Sequence, residues 1–146
     1  MIRQARPGEG GALTAAYEWL FAAPGVRPPD WSPDVAAQRL EATIADDRSV
    51  VLLADDNGTV VGFATVYLDI VSARFGQRAW IEDLAVAPDR RSSGIGKALL
   101  DAAKTWAREQ GAAWLGLESG AARVDAHRFY EREEPDSWSR SFRWTF

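Results

Sequence analysis

The sequence contains no cysteine, one histidine and one methionine among its 146 residues. A chain without cysteine forms neither disulfides nor thiolate metal sites, which suits a reducing compartment. No apolar run approaches the roughly 18 residues that a membrane-spanning helix needs, and residues 1–7 lack the apolar core of a signal peptide. We therefore predict a cytoplasmic protein that needs no metal and does not associate with membranes.

An excess of positive charge is also absent. The chain has 17 Lys and Arg against 21 Asp and Glu, which gives a formal net charge of −4. Nucleic-acid-binding domains usually carry a basic surface, so DNA and RNA are not expected partners, and the charge weakly favours a cationic partner. Because a chain of this length corresponds to about one domain, we expect residues 1–146 to form a single domain.

Apolar periodicity and turn residues predict alternating strands and helices. The expected strands are 2–5, 49–54, 59–71, 80–86, 114–118 and a final strand carrying Phe142, Trp144 and Phe146. The expected helices are 8–23, 32–45, a helix from Ile95 to a cap at Gly111, and 123–132. The resulting order, β-α-α-β-β-β-α-β-α-β, predicts an α/β (α+β) fold with a mixed sheet covered by helices.

The most informative segment is the turn Arg91-Ser92-Ser93-Gly94-Ile95-Gly96, between the apolar run 80–86 and an amphipathic helix. Where a strand ends and a helix begins through such a turn, free backbone N–H groups point at one spot. The positive end of the helix dipole lies behind them. The segment therefore predicts a phosphate-binding site.

Two common phosphate-binding loops do not fit its spacing. In a nucleoside-triphosphate P-loop the Gly-Lys pair is followed by Ser or Thr, whereas Gly96-Lys97 is followed by Ala98, which offers no hydroxyl for magnesium. The dinucleotide fingerprint requires a third glycine three residues after Gly96, where Leu99 stands. Neither a nucleoside triphosphate nor a dinucleotide is therefore the expected ligand.

The flanking residues complete a longer pattern of Val86-Ala87-Pro88, then Arg91, Gly94 and Gly96, then Ala98-Leu99-Leu100. This pattern resembles the acyl-coenzyme A pyrophosphate loop of the GNAT N-acetyltransferase superfamily. The order of elements is similar along nearly the whole chain, while the matching residues are concentrated between positions 80 and 132. The resemblance implies a GNAT-like mixed, mostly antiparallel central sheet flanked by helices, and acetyl-coenzyme A (acetyl-CoA) as co-substrate.

The resemblance also implies how the coenzyme binds. Backbone N–H groups of residues 93–96 would hold the pyrophosphate, with an arginine and two serine hydroxyls as further donors, and strand backbone before the loop would pair with the pantetheine arm. Lys97 either contacts a phosphate of the coenzyme or faces solvent. The implied coenzyme-binding residues are Leu84, Ala85, Val86, Arg91, Ser92, Ser93, Gly94, Ile95, Gly96 and Lys97.

Transfer of an acetyl group from a thioester to an amine needs a base for the amine proton and a proton for the leaving thiolate. Glu82 and Asp83 precede the loop on a strand, where neighbouring residues face opposite sides unless a bulge redirects them. The run 81–86 is similar to the polyamine-acetylating branch of the superfamily, which implies Glu82 as the base and Asp83 as a ligand of the amine. Alternatively, one of these acids only faces solvent.

Two further resemblances concern the second half of the chain. Residues 126–132 resemble the second GNAT signature, whose tyrosine protonates the coenzyme sulfur, and this implies that Tyr130 is the acid. Many members place Asn where this chain has Arg123. The coenzyme contact that the Asn amide makes therefore has no counterpart here.

The proline-rich loop 24–31 is expected to border the acceptor site, with Trp31 either as a pocket wall or as a buried anchor. The acids Glu82, Asp83 and Glu118 suit a cationic acceptor such as a polyamine or an aminoglycoside. We therefore expect direct transfer from acetyl-CoA to a primary amine of a small molecule in a ternary complex. A protein or peptide amine as acceptor, and a non-catalytic acyl-CoA sensor, stay open, and an exposed C-terminal strand would permit a homodimer.

Overall fold

Five strands form a single sheet in the computed structural model, which describes residues 1–146. In spatial order the strands are β1 (Ile2–Gln4), β2 (Ser49–Asp56), β3 (Thr59–Leu68), β4 (Arg78–Val86) and β5 (Trp114–Leu117). The first four are antiparallel neighbours, and β4 and β5 are parallel. A parallel pair needs a long crossover, which here contains helix α4 (Ile95–Glu109). The expected mixed, mostly antiparallel sheet is confirmed.

The helices begin where the sequence provides a cap or a turn. Helix α3 (Pro33–Ala45) begins after Ser32, whose Oγ accepts a hydrogen bond from the Val35 N–H, and has proline at its first position. Helix α5 (Val124–Arg132) follows β5. None of the helices combines the length and the apolar character that a membrane span requires.

The prediction of one helix over 8–23 was wrong. This region consists of α1 (Gly10–Leu13), a 3₁₀ turn (Thr14–Tyr17) and α2 (Glu18–Phe21). Two glycines at the start weaken helix propensity, and the Thr14 hydroxyl bonds the backbone carbonyl of Gly11 at 2.8 Å. The tightened turn carries Tyr17 onto the sheet, where its ring packs on Phe63 with centroids 4.9 Å apart.

The sheet has a hydrophobic core on each face, and β2 shows how the strand period divides them. Val50, Leu52 and Ala54 face α4, whereas Val51 and Leu53 face α1 and α3. From α4, the buried residues Leu99, Leu100, Ala103, Trp106 and Ala107 complete the first core. Helix α4 and the α1–α3 region therefore cover opposite faces, and the functional candidates lie where β4 runs between them.

The predicted final strand is absent. Residues 133–146, the C-terminal segment, have no regular secondary structure, and Phe142, Trp144 and Phe146 are exposed by 75%, 77% and 115%. Their alternation has the period of a strand, but a strand also needs a neighbour for its backbone groups, and this segment pairs with none. The Ser141 hydroxyl of this segment donates a 2.6 Å hydrogen bond to Oε1 of Glu118, the residue after β5.

Candidate active site

A β-bulge in β4 controls the placement of the two candidate carboxylates. Thr65 of β3 is opposite Asp83 and Val66 is opposite Ile81, so Glu82 is the extra residue in the ladder. A bulge reverses the alternation of side chains beyond it. Ile81 and Leu84 accordingly pack in the core beneath α4, while Ala85 packs in the opposite core.

The bulge brings both carboxylates to the same cleft, which lies on the sheet face covered by α3. This cleft has a volume of about 620 Å³ and opens between α3, β3 and β4. The residues that line it include Tyr17, Trp31, Thr65, Glu82 and Asp83. The alternation rule for a regular strand would have allowed only one of the two acids to face it.

Asp83 is held rigidly at the floor of the cleft. The hydroxyl of Tyr17 donates to Asp83 Oδ2 at 2.8 Å, and the hydroxyl of Thr65 donates to the same oxygen at 3.1 Å. Burial raises the pKa of Asp83, whereas the two hydroxyl donors and the charge of Arg123 act in the opposite direction. The carboxylate is therefore fixed in orientation and lies in a site that a cation would complement.

Glu82 is more exposed than Asp83, and its carboxylate accepts no hydrogen bond from a hydroxyl side chain. Partial burial raises the pKa of Glu82, and the negative charges of Asp83 and Glu118 raise it further, while Arg143 lowers it. A carboxylate with a raised pKa is a stronger base than a free one and can accept a proton from an amine or a water. Glu82 therefore combines an exposed position with a raised pKa.

Aromatic rings form the wall of the cleft beside the acids. The ring of Trp31 lies 5.4 Å from that of Tyr17 and 4.7 Å from that of Phe21, centroid to centroid. Trp31 is half-buried and lines the cleft, so the end of the proline-rich loop borders the cleft that contains both acids. Of its two predicted roles, pocket wall and buried anchor, the geometry is compatible with both at once.

The turn that the sequence predicts to bind phosphate lies directly before α4. Gly94 precedes α4 with φ of 85°, a conformation that favours glycine, and Ser92 also has a positive φ of 61°. The first backbone hydrogen bond of α4 runs from Ala98 N to Gly94 O, and no backbone N–H from Ser93 to Lys97 donates within the chain. These free donors at a helix N-terminus fit a pyrophosphate group.

Three side chains around the turn, unlike its backbone N–H groups, bond to other groups of the chain. Arg91 Nε donates to the Val86 carbonyl at 3.4 Å, and the Ser93 hydroxyl bonds the Arg90 carbonyl. Lys97 Nζ is 2.9 Å from Asp101 Oδ2 and 3.2 Å from Glu133 Oε2. A phosphate would therefore have to compete with two carboxylates for Lys97. The side chain of Lys97 is also exposed to solvent, which is one of the two environments that the sequence suggested.

The edge of β4 beyond the bulge is open on one side. Pairing between β4 and β5 ends at Ile81 and Leu117, whereas pairing between β4 and β3 continues to Val86. Backbone groups from Leu84 to Val86 on the β5 side therefore have no strand neighbour. An extended ligand such as a pantetheine arm fits a strand edge of this kind.

Tyr130 lies on α5, which packs against the start of α4. A Cβ at Gly96 would be 3.6 Å from Phe129 Cζ, and the rings of Phe129 and Tyr130 are 5.1 Å apart. Burial raises the pKa of Tyr130, and the charge of Arg123 lowers it. Its phenol is protonated at neutral pH and can donate to a thiolate.

The sequence did not indicate a role for Tyr17, and Glu118, which it predicted at the acceptor site, lies outside the cleft. Tyr17 is 66 residues from Asp83 along the chain, and only the 3₁₀ turn brings its hydroxyl to the carboxylate. Glu118 does not line the cleft; it follows β5, and its charge acts on Glu82. A tyrosine in a short 3₁₀ turn between two helices carries no sequence signal of such a contact.

Comparison with known proteins decides the family. The model of the acetyltransferase (GNAT) family matches residues 13–133. The chain belongs to the GNAT acetyltransferase family. This acetyltransferase is 38% identical over 120 residues to the uncharacterized N-acetyltransferase YhdJ of Bacillus subtilis (strain 168). The aligned residues cover 81% of this chain and 84% of YhdJ.

Two further proteins are similar to this acetyltransferase. The aminoglycoside N(6')-acetyltransferase type 1 of Stenotrophomonas maltophilia is 33% identical over 130 residues, covering 86% of this chain and 79% of that protein. The structure of aminoglycoside N-acetyltransferase AAC(6')-Iy in complex with CoA has a TM-score of 0.84 at 18% identity, across 100% of this chain and 93% of that one. The last likeness concerns the fold alone. The chain is thus an acetyl-CoA-dependent N-acetyltransferase.

Proposed function

We propose that this acetyltransferase transfers the acetyl group of acetyl-CoA directly to a primary amine of a small polycationic molecule, such as a polyamine or an aminoglycoside. The observation that carries the proposal is the bulge in β4, which turns Glu82 and Asp83 to one cleft with an aromatic wall. Two acids beside aromatic rings form a site for a cationic amine, because carboxylates and ring faces both attract positive charge.

The two acids divide the work on the acceptor. Asp83, whose orientation the hydroxyls of Tyr17 and Thr65 hold, binds an ammonium group of the acceptor. Glu82, which is more exposed, accepts the proton that the reacting amine loses, directly or through a water. The neutral amine then attacks the thioester carbon. Trp31 closes the cleft beside them.

Acetyl-CoA binds at the turn before α4 and along the open edge of β4. Free backbone N–H groups of residues 93–97 hold the pyrophosphate, Arg91 and the serines add donors, and the open edge from Leu84 to Val86 pairs with the pantetheine arm. As the carbon–sulfur bond breaks, Tyr130 gives its proton to the coenzyme sulfur. The chain has no cysteine to hold the acetyl group, which supports direct transfer rather than an acyl-enzyme.

The relationships support a small-molecule acceptor. The relative from Stenotrophomonas maltophilia is an aminoglycoside acetyltransferase by name and is similar over most of both chains. An aminoglycoside carries several ammonium groups, which matches the two acids of the cleft. A peptide amine would also fit the reaction, and the experiment below includes it.

Thiol release from acetyl-CoA with a panel of polyamines, aminoglycosides, amino acids and peptides tests the proposal, together with calorimetry of coenzyme binding. We expect turnover with at least one polycationic small molecule and none with neutral alcohols. Turnover with peptides alone would replace the acceptor class. Coenzyme binding without turnover on any amine would indicate an acyl-CoA sensor, and the absence of both would refute the function.

We also propose that residues 1–146 act as one domain that can form a homodimer. The outer edge of β5 has no strand neighbour, and such an edge accepts a strand from a second copy. Light scattering after size exclusion should give twice the monomer mass at micromolar concentration. A monomer at every concentration would overturn the dimer.

A further inference from the structure

Arg123 occupies a position between the two sides of the site. It immediately precedes α5, and Tyr130 follows it by seven residues, or two helical turns, so the two residues share a face of the helix. Its side chain is half-buried, and the function proposed above gives it no role.

The guanidinium of Arg123 fastens α5 to the segment 20–25, where α2 ends and the proline-rich loop begins. Nη2 of Arg123 donates to the backbone carbonyl of Leu20 at 2.9 Å. At Gly25 a Cβ would be 1.8 Å from the Leu20 carbonyl oxygen and 2.9 Å from the same Nη2. The segment therefore folds tightly around the guanidinium and has no room for a side chain at position 25.

The guanidinium of Arg123 has no carboxylate partner. None of the ion pairs of the chain includes Arg123, whereas Arg128 on the same helix pairs with Asp125. Burial raises the pKa of Asp83 and of Tyr130, and the charge of Arg123 acts in the opposite direction on both. The guanidinium thus lies close enough to influence the acid that would bind the amine and the phenol that would protonate the thiolate.

We infer that Arg123 is a positioning residue for acetyl transfer: it ties the segment 20–25 to the helix that carries Tyr130, and its charge stabilises the tyrosinate left after proton donation. The inference rests on the proposed function, because it assigns Tyr130 the role of acid.

Acetyl transfer exchanges a bond at the thioester carbon and moves protons at the amine and at the sulfur. The amine nitrogen forms a bond to the thioester carbon, and the carbon–sulfur bond breaks with its electron pair going to sulfur. The Tyr130 O–H breaks and an S–H bond forms, which leaves a tyrosinate beside Arg123. The acceptor ammonium loses one proton to Glu82 before the attack, and Glu82 passes it to solvent. The amide nitrogen loses a second proton to solvent, and Tyr130 regains one proton from solvent.

Two substitutions separate the charge of Arg123 from its contacts. Arg123→Gln removes the charge, and Arg123→Lys keeps it. We expect Arg123→Gln to lower kcat about tenfold and to shift the alkaline limb of the kcat profile to higher pH, because Tyr130 loses a cation that lowers its pKa. Arg123→Lys should keep the limb and stay within about threefold of the wild-type kcat.

Arg128→Gln is the matched control, since it removes the same charge from an exposed position on the same helix. It should leave kcat and the pH profile unchanged. Hydrogen–deuterium exchange adds a readout that needs no substrate: residues 20–25 should exchange faster in Arg123→Gln than in the wild type or in Arg128→Gln. In a Tyr130→Phe background, Arg123→Gln should change kcat less than twofold, because the two residues act on one step.

The outcomes distinguish this inference from the proposed function. If the wild type transfers acetyl groups but Arg123→Gln keeps both its alkaline limb and its kcat, the electrostatic role is wrong while the function stands. A tenfold loss in Arg123→Lys would also overturn it, and this variant remains informative if Arg123→Gln does not fold. If the wild type acetylates no amine, the function fails, and with it the role of Arg123 in transfer.

Discussion

Replacing Asp83 by Asn removes one negative charge from the cleft and little else. The amide oxygen of Asn can still accept hydrogen bonds from Tyr17 and Thr65, which now lie 2.8 Å and 3.1 Å from the carboxylate, and the two side chains have nearly the same size. A hydrogen bond to a charged group contributes about 1.5–3 kcal/mol, and a neutral one about 0.5–1.5 kcal/mol. The difference of about 1–1.5 kcal/mol corresponds to roughly a tenfold change in affinity.

Steady-state kinetics with a polyamine should therefore show kcat/KM about tenfold lower in Asp83→Asn, with most of the change in KM for the amine. KM for acetyl-CoA should not change. Asp47→Asn, in the exposed turn before β2, serves as the control for loss of an acidic charge. An unchanged KM for the amine would refute the role of Asp83 in binding the acceptor.

Although Asp83→Asn should lose activity, it should gain stability at neutral pH. Burial raises the pKa of Asp83, so the folded chain binds this proton more tightly than the unfolded chain does. The wild type therefore loses stability as pH rises from the ordinary carboxyl range through the raised pKa, and Asn does not titrate. Thermal unfolding should show a higher Tm for Asp83→Asn at neutral pH and a smaller difference in acid. A lower Tm at neutral pH would contradict this account.

Three other predictions follow from the site. Glu82→Gln should remove the acidic limb of kcat/KM, because the wild-type carboxylate is a base only above its raised pKa; an unchanged limb would exclude Glu82 as the base. Tyr130→Phe should lower kcat about 100-fold while calorimetry shows unaltered acetyl-CoA affinity, and a wild-type rate would exclude the phenol from the chemistry. Gly94→Ala forces a φ of 85° on alanine and should cost about 1 kcal/mol of stability and weaken coenzyme binding, whereas Gly11→Ala, in open space, should do neither.

Local patterns in the sequence were sufficient for most of the fold. Apolar periodicity and turn residues predicted β2 and β3, and the glycine turn before an amphipathic run predicted the start of α4. The family that these motifs indicated is confirmed. Such features depend on residues close together in the chain, which is why they can be recognised without knowledge of the tertiary structure.

The errors concern features that depend on distant contacts. The alternation of Phe142, Trp144 and Phe146 describes a strand only if another strand accepts its hydrogen bonds, and no local pattern reveals that partner. The bulge at Glu82 depends on the register with Thr65, and the bond from Tyr17 to Asp83 depends on how the first helices cross the sheet. The roles of Glu82 and Tyr130 stay predictions that the geometry makes specific.

Mass spectrometry of the reaction products tests the central claim most directly, namely that this cleft transfers an acetyl group straight from acetyl-CoA to an amine. The enzyme would be incubated with acetyl-CoA and each member of the amine panel, and small molecules and intact protein would both be measured. We expect a singly acetylated polycationic amine in equal amount to free CoA, with no acetyl group on the protein. Free CoA without an acetylated amine, or an acetylated protein that passes its group on to the amine, would contradict it.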